Sequence, residues 1–520
     1  MRRTSTTCDK LGEALKAVSH DSVPVGGLNK SRQSDGDADD LHDHGSIHFD
    51  FTSIVAARRW KLSAIRRTPV HKLCYAIAKP ADYGVNSMKN RLLDMIRIAL
   101  ALIFTYSLPL TSCFAALTLD NTFAGGGRLT VSFPDSTTNY SSSGLRIFPQ
   151  STGRIVAVGY FTNMTADGQL PGIAVFGLTS AGAVDSTYSL VADWQSNGFT
   201  SLGDAVMYPD GRVLRLSRFF NVVGSSTVRA ARTEVNGPDD GVFGSNVNIG
   251  TGAGGFGTDK ASQIAIRSDG KIVVLIVFNS EYTLYRLNAD GTRDTSFGAN
   301  GIVRITFNKI AFPPESALEM IALPDGKLLL AGHVPPFSNG SSNLFLARLT
   351  ETGNWDKTFG RSGFLQIPFG PGLTGRVQRA LLQPDGNILL CGSIANSDTD
   401  TWMMRFRSNG RTDTSFGSLG VVITDFEPAG MDAAASMVLS SDGKIRIAGS
   451  HGTPSRFFVA RYSAAGALEE STSFPFTAGQ NSSASDIALQ PDGKVVVIGG
   501  TRNPNAAING DVMAIARLTE

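Results

Sequence analysis

One tight turn recurs seven times in this chain, and it limits the possible folds more than any other feature. The stretch from Ser268 to Phe307 reads SDGKIVVLIVFNSEYTLYRLNADGTRDTSFGANGIVRITF. It gives turn, strand, turn, strand, turn and strand. The turn glycines are Gly153, Gly211, Gly270, Gly326, Gly386, Gly443 and Gly493, spaced 58, 59, 56, 60, 57 and 50 residues apart. Six of the seven turns read Asp-Gly. Gly takes the positive φ such a turn needs, and Asp can hydrogen-bond to the nearby backbone.

After each turn comes a short strand with two apolar faces, as in Leu328–Leu330, Ile388–Leu390 and Val495–Ile498. This predicts burial on both sides. Five of these strands reach a Gly six residues past the turn: Gly159, Gly332, Gly392, Gly449 and Gly499. A Gly there predicts close approach of another backbone. The next strand ends in an Arg in six units: Arg232, Arg286, Arg348, Arg405, Arg461 and Arg517. Unit one has Gly177 instead. A Gly follows five residues on, and three later an acid: Asp185, Asp240, Asp294, Asp356, Asp413 and Glu469. An aromatic residue usually comes next, as in Phe297, Phe359 and Phe416, before a fourth strand.

The seventh unit stops after Arg517-Leu518, without its acid, aromatic residue and fourth strand. Those pieces stand at the other end of the repetitive region, as Asp120-Asn121-Thr122-Phe123 and Gly127 to Phe133. The two ends therefore complete one unit. The expected fold is all-β: a seven-bladed β-propeller closed by pairing of the amino-terminal strand with the last blade. One unit of some 57 residues cannot cover two apolar faces, whereas stacking in a closed ring covers both and leaves no open end. The alternative is an open β-solenoid, which needs no terminal exchange.

The Asp-Gly-Lys strand, the Arg-Leu-Asn-x-Asp-Gly turn and Asp-Thr-Ser-Phe-Gly together resemble the bacterial delta-60 repeat. The resemblance covers about residues 118–520 and is closest in units three to six. Unit one departs from it at Ser151-Thr152-Gly153, and unit two at Ser217. It implies a propeller-like repeat array in an exported bacterial protein and names no activity.

The first 116 residues are different. Residues 1–87 show neither a 3.6 nor a 2 period and are expected to be disordered. Met88-Lys89-Asn90-Arg91 then opens a basic start, and Ile98–Leu110 is a run of 13 residues without a charge. Small residues lead to a plausible cut after Ala115. Residues 88–116 therefore resemble a secretory signal peptide, with Met88 as the expected true start. The run is too short to span a membrane. A buried core helix is the other reading of this run, and lipidation at Cys113 the other reading of its end. Residues 117–520 form the expected propeller.

Composition excludes some functions. Residues 1–116 hold 16 Lys+Arg and 11 Asp+Glu, leaving 31 and 34 of the chain's 47 and 45 for the rest. A slightly acidic body has no electrostatic footprint for nucleic acid. Only Cys391 follows residue 117, so no intramolecular disulfide is expected there. It reads as a buried apolar filler.

Catalytic and metal signatures are missing from the sequence. There is no His-Glu-x-x-His, Cys-x-x-Cys or spaced Asp loop closed by Glu. There is also no Gly-x-Ser-x-Gly elbow. His42-Asp43-His44 with His48 reads as a polar tail. A feature present in six or seven units reads as architecture, so the recurrent acids are expected in Asx-type turns bonded to a neighbouring Arg. Function is sought where units differ. His333 and His451, each just past a strand-end Gly, are the candidates for a site at the central mouth. Asp398 and Asp400 are weak candidates for Ca²⁺, as are Asp239 and Asp240. Trp194, Phe219, Phe220 and Trp402 are candidate contact aromatics at the rim, each with core packing as the alternative. Variable inserts at Asn221–Val228, Asn308–Glu315, Pro335–Ser342 and Asn503–Asp511 are expected on the rims. No cofactor is expected. The chain reads as an extracytoplasmic, non-enzymatic scaffold for a protein or glycan. The alternative is a hydrolase or lyase with its site at the mouth.

Overall fold

The computed structural model describes residues 116–131, 140–165, 168–188, 191–193, 198–221, 225–243, 247–253, 259–278, 281–305, 319–334, 342–370, 372–395, 398–427, 430–502 and 510–520. The reading of residues 1–87 and nearly all of the signal-peptide reading fall outside these residues. So do the tail histidines and most of the four inserts.

The described residues are all-β and form seven sheets, the blades of a β-propeller. Blades one to six each take four strands consecutive in sequence. Blade seven takes three strands from the carboxyl end, Ser482–Leu489, Val495–Arg502 and Asp511–Thr519. Its outer edge comes from the other end: Thr118–Leu119 and Arg128–Val131 both pair antiparallel with Asp511–Thr519. Leu129 lies opposite Ile515 and Val131 opposite Met513.

The first strands of neighbouring blades touch in an unbroken circle, from Tyr140–Pro149 through Gly198–Met207 round to Ser482–Leu489 and back. They are therefore the innermost strands. The turn glycines join first to second strands at one end of each blade. The opposite end carries the joins between second and third strands and the crossovers to the next blade.

There is no single core. Seven apolar clusters each sit between two adjacent blades. The second strands explain why. Leu328–Val334 is buried along its whole length, so both faces need a neighbour. Burying one Leu or Phe side chain contributes about 1.5–3 kcal/mol. The closing junction is packed like the rest: Phe123 and Val131 join Met513 and Ile515 against Ile147, Ile155 and Phe161 of blade one.

The strand-end glycines meet backbone, as their placement predicts. First strands carry β-bulges, for example between Val377 and Arg379, Ala434 and Ser436, and Ala484 and Asp486. Beside each bulge a carbonyl lies against the Gly of the second strand. A Cβ on Gly392 would lie 1.8 Å from the Arg376 oxygen, and one on Gly449 1.9 Å from that of Ala433. Gly392→Ala is expected to destabilise by roughly 3 kcal/mol in urea unfolding. Gly493→Ala, at a turn with open space around it, should cost only about 1–2 kcal/mol for its positive φ. Equal midpoints for the two variants would contradict the close approach.

Candidate functional site

The recurrent charges are occupied in holding blades together. Asp294 accepts the Ser296 N–H and hydroxyl through Oδ1, an Asx turn, while Oδ2 takes Arg286 Nε at 2.6 Å and Lys271 at 2.7 Å. Arg286 lies 4.5 Å over the Phe297 ring and donates Nη1 to the Glu351 carbonyl of the next blade. Arg348 repeats this with Asp356, Phe359 and Ser408, and Arg405 with Asp413, Phe416 and Ala464. Arg517 does the same across the closing junction, with Asp120, Phe123 and the Ser180 carbonyl. Unit one, lacking the Arg, uses Arg154, just before its second strand Ile155–Thr165. Arg154 bonds Asp185 at 2.7 Å and reaches Asn236 of blade two. Burial alone would raise the Asp294 carboxyl. Lys271, Ser296 and Arg286 outweigh it and hold the group well below the usual range.

A second set of polar groups lines the inside of the circle. Seven residues before each turn Gly stand Arg146, Asp204, Gln263, Glu319, Arg379, Ser436 and Asp486. Asp204 receives Arg146 from blade one and the Ile264 N–H from blade three. Asp486 receives the Ser436 hydroxyl from blade six and the Ile147 N–H from blade one. Glu319 faces Arg379 at 3.6 Å. Burial pushes the Glu319 carboxyl up, with Asp204 adding to it, against Arg379 and Arg146. These side chains cross-link inner strands and already hold one another.

The non-repeated polar cluster lies at the end of the blades opposite the turns, between blades five and six. Asp432 opens the inner strand Asp432–Leu439 and is fully buried. Its Oδ2 accepts the N–H groups of Phe426 and Glu427 at 2.8 and 3.2 Å. Its Oδ1 lies 2.7 Å from His451 Nδ1, at the end of Ile445–His451. His451 Nε2 is 3.7 Å from Glu427 Oε2, and Phe426 packs edge-on to the imidazole. Asp400 and Asp425 bring further carboxylate oxygens, so that Asp400, Asp425 and Asp432 offer ligand atoms within 4.8 Å of one another. The three carboxylates stand close enough to share a cation, and the bonds of Asp432 pin the crossover from blade five to blade six.

The candidate residues fare differently. His451 sits in this cluster. His333 lies buried within Leu328–Val334 of blade four, in another blade from it. Trp402 is not at the rim. It is fully buried, donates Nε1 to the Arg376 and Ser393 carbonyls at 3.1 Å each, and packs edge-on to Phe369. The space is supplied by Gly392 opposite it in the paired strand. Cys391 is buried, which pushes its thiol up and leaves it protonated. Trp194 and the side chains of Phe219 and Phe220 fall outside the described residues.

Sequence reasoning passed over Asp425, Asp432 and Trp355. Trp355 carries a usable signal. It stands just before the recurrent acid, where the other six units have Leu119, Val184, Asp239, Arg293, Thr412 and Leu468.

Among solved structures, the chain is similar to the WD40 domain of SCAP from fission yeast at 11% identity, covering 76% of this chain and 98% of that one, with a TM-score of 0.34. The α-L-arabinofuranosidase Arb93A from Fusarium graminearum matches at 10%, covering 75% and 97%, with a TM-score of 0.39. Drosophila Plexin A matches at 10%, covering 75% and 86%, with a TM-score of 0.41. These likenesses concern fold alone. No curated protein matches the sequence. Residues 267–297, 323–359, 383–416 and 440–471 match the family model described as domain of unknown function (DUF5122) beta-propeller, each match starting three residues before a turn Gly, so the chain carries repeats of a β-propeller family.

Proposed function

We propose that this chain is an exported bacterial propeller of delta-60-type repeats and that it works as a binding scaffold for a protein or glycan. Residues 88–116 act as its signal peptide, residues 1–87 lie upstream of the natural start, and the propeller operates outside the cytoplasm. One observation carries the reading. The recurrent acids are bonded within and between blades, and the inner ring is cross-linked to itself. The symmetric parts thus serve assembly, and recognition falls to the parts that differ from blade to blade. A glycan array combined with an envelope pull-down is expected to return a specific binder. Empty results from both would overturn the scaffold reading. Amino-terminal sequencing of the native protein tests the export reading, and a native peptide from residues 1–87 would sink the shortened start.

A second reading rests on the Asp432–His451 pair. A buried carboxylate that fixes one imidazole nitrogen is the arrangement of a general base, which favours a hydrolase or lyase. His451→Ala should then abolish turnover of any substrate found in a screen, and His451→Gln, which can still donate to the buried Asp432, should abolish it too with a cooperative urea transition retained. Full retained turnover rules this reading out.

A further inference from the structure

We propose that the junction of blades three and four is a saccharide-binding groove built around Trp355, a proposal that rests on the scaffold reading above and gives it a ligand class. At three other junctions a backbone bond closes the outer gap between blades. Ala124 N–H donates to the Ala181 carbonyl, Gly360 N–H to Asn409 and Gly417 N–H to Ala465. The equivalent partners here are Gly298 and Thr352, and among the described residues they do not form it. The gap is a groove of about 410 Å³. Its lining includes Ser296, Val303, Thr352, Asn354 and Trp355.

Trp355 is half-buried. Phe364 holds it edge-to-face at 6.2 Å, and Gly363 packs against its side chain. The indole is therefore held in place, which reduces the entropy lost when a ligand docks. No other unit places an aromatic residue in this slot. Around it stand the Ser296 hydroxyl, which donates to Asp294 and accepts from Arg286, the Thr352 hydroxyl, which accepts from the Asn354 amide, and the exposed Asn354 side chain itself.

A flat aromatic face bordered by small hydroxyl and amide groups suits a ligand with one apolar C–H face and a rim of hydroxyls, as a sugar ring has. The volume falls within the range of small-ligand sites. A peptide added to the outer strand Ile302–Ile305 would use backbone bonds instead and would not need the indole.

The test is titration calorimetry and Trp fluorescence on the full chain, with chitohexaose, cellohexaose and mannohexaose as probes. At least one probe is expected to bind and to shift the fluorescence. Trp355→Ala should weaken that binding on the order of tenfold or more, the loss of one central aromatic contact. Trp355→Phe should recover most of it. Asn354→Ala, at an exposed side chain with little packing to lose, keeps the test independent of folding and should weaken binding several-fold. No binding by any probe, or binding unchanged in Trp355→Ala and Asn354→Ala, overturns the groove. A protein captured from the envelope equally well by parent and Trp355→Ala would uphold the scaffold and reject the saccharide site.

Discussion

Arg517→Ala is expected to lose about 3–5 kcal/mol of stability, the usual result of removing one member of a buried ion pair. Arg517 is 3% exposed. Its Nε holds Asp120 at 2.8 Å, its Nη2 bonds Thr122, its Nη1 reaches the Ser180 carbonyl, and its guanidinium lies 4.8 Å over Phe123. Without it the Asp120 carboxylate stays buried with Thr122 and Lys494 as its remaining side-chain partners. Arg405 makes the same set of bonds but is more exposed, and a continuous chain joins its two blades. At the closing junction the last blade holds its outer strand by non-covalent bonds alone. Arg405→Ala is therefore expected to cost clearly less. Urea or thermal unfolding of the two variants checks this, and equal losses would mean that the closing junction bears no special strain. The double variant with Asp120→Asn should recover part of the loss, since no charge is then left stranded.

Acid should unfold the protein between about pH 4 and pH 2. Burial alone would raise the Asp120 carboxyl, but the Thr122 hydroxyl and N–H, Arg517 and Lys494 bring it down to about 2. A carboxylate held below its unfolded value of 3.8 stabilises the fold above that value, and the contribution disappears as pH falls through the folded value. For Asp120 this is about 2 kcal/mol. Asp185, Asp240, Asp294, Asp356 and Asp413 are shifted the same way. Glu319 works in the opposite direction, because its raised carboxyl is more easily protonated in the fold than in the unfolded chain. Among the described residues it is one raised carboxyl against eleven lowered ones, Asp210, Asp269, Asp290, Asp325 and Asp442 being the others. Urea midpoints at pH 7, 4, 3 and 2.5 should fall steeply over the last three, and Asp120→Asn should show a shallower fall. A midpoint that holds or rises below pH 4 would contradict the assignment.

The periodic features were readable before any coordinates. The turn glycines, the Arg–acid spacing and the displaced Asp120-Asn121-Thr122-Phe123 all follow from repetition; the first make the hairpin turns within blades, and the other two map onto bonds between blades. Trp402 takes the core-packing reading and not the rim, and the sequence could not separate the two for a physical reason. A strand covered on both faces by neighbouring blades gives no alternation from which exposure can be read. Asp432 was missed although the blade-six hairpin sets it opposite His451, because its other partners, the Phe426 and Glu427 N–H groups, arrive from the crossover out of blade five. The inner ring from Arg146 to Asp486 was missed because bulges shift which residues face inward. Trp355 was hidden inside the repeat itself, and only comparison of that one slot across units exposes it.

Residue 129 lies opposite residue 515. A chain emerging from the ribosome, or threading through a membrane pore, cannot complete this sheet until nearly all of it has been delivered. Six blades can collect while their ring is still open, with the apolar flank of Ile147, Ile155 and Phe161 waiting for its neighbours. Premature closure is thereby avoided. Folding gains a built-in delay, set by the order in which the two ends arrive.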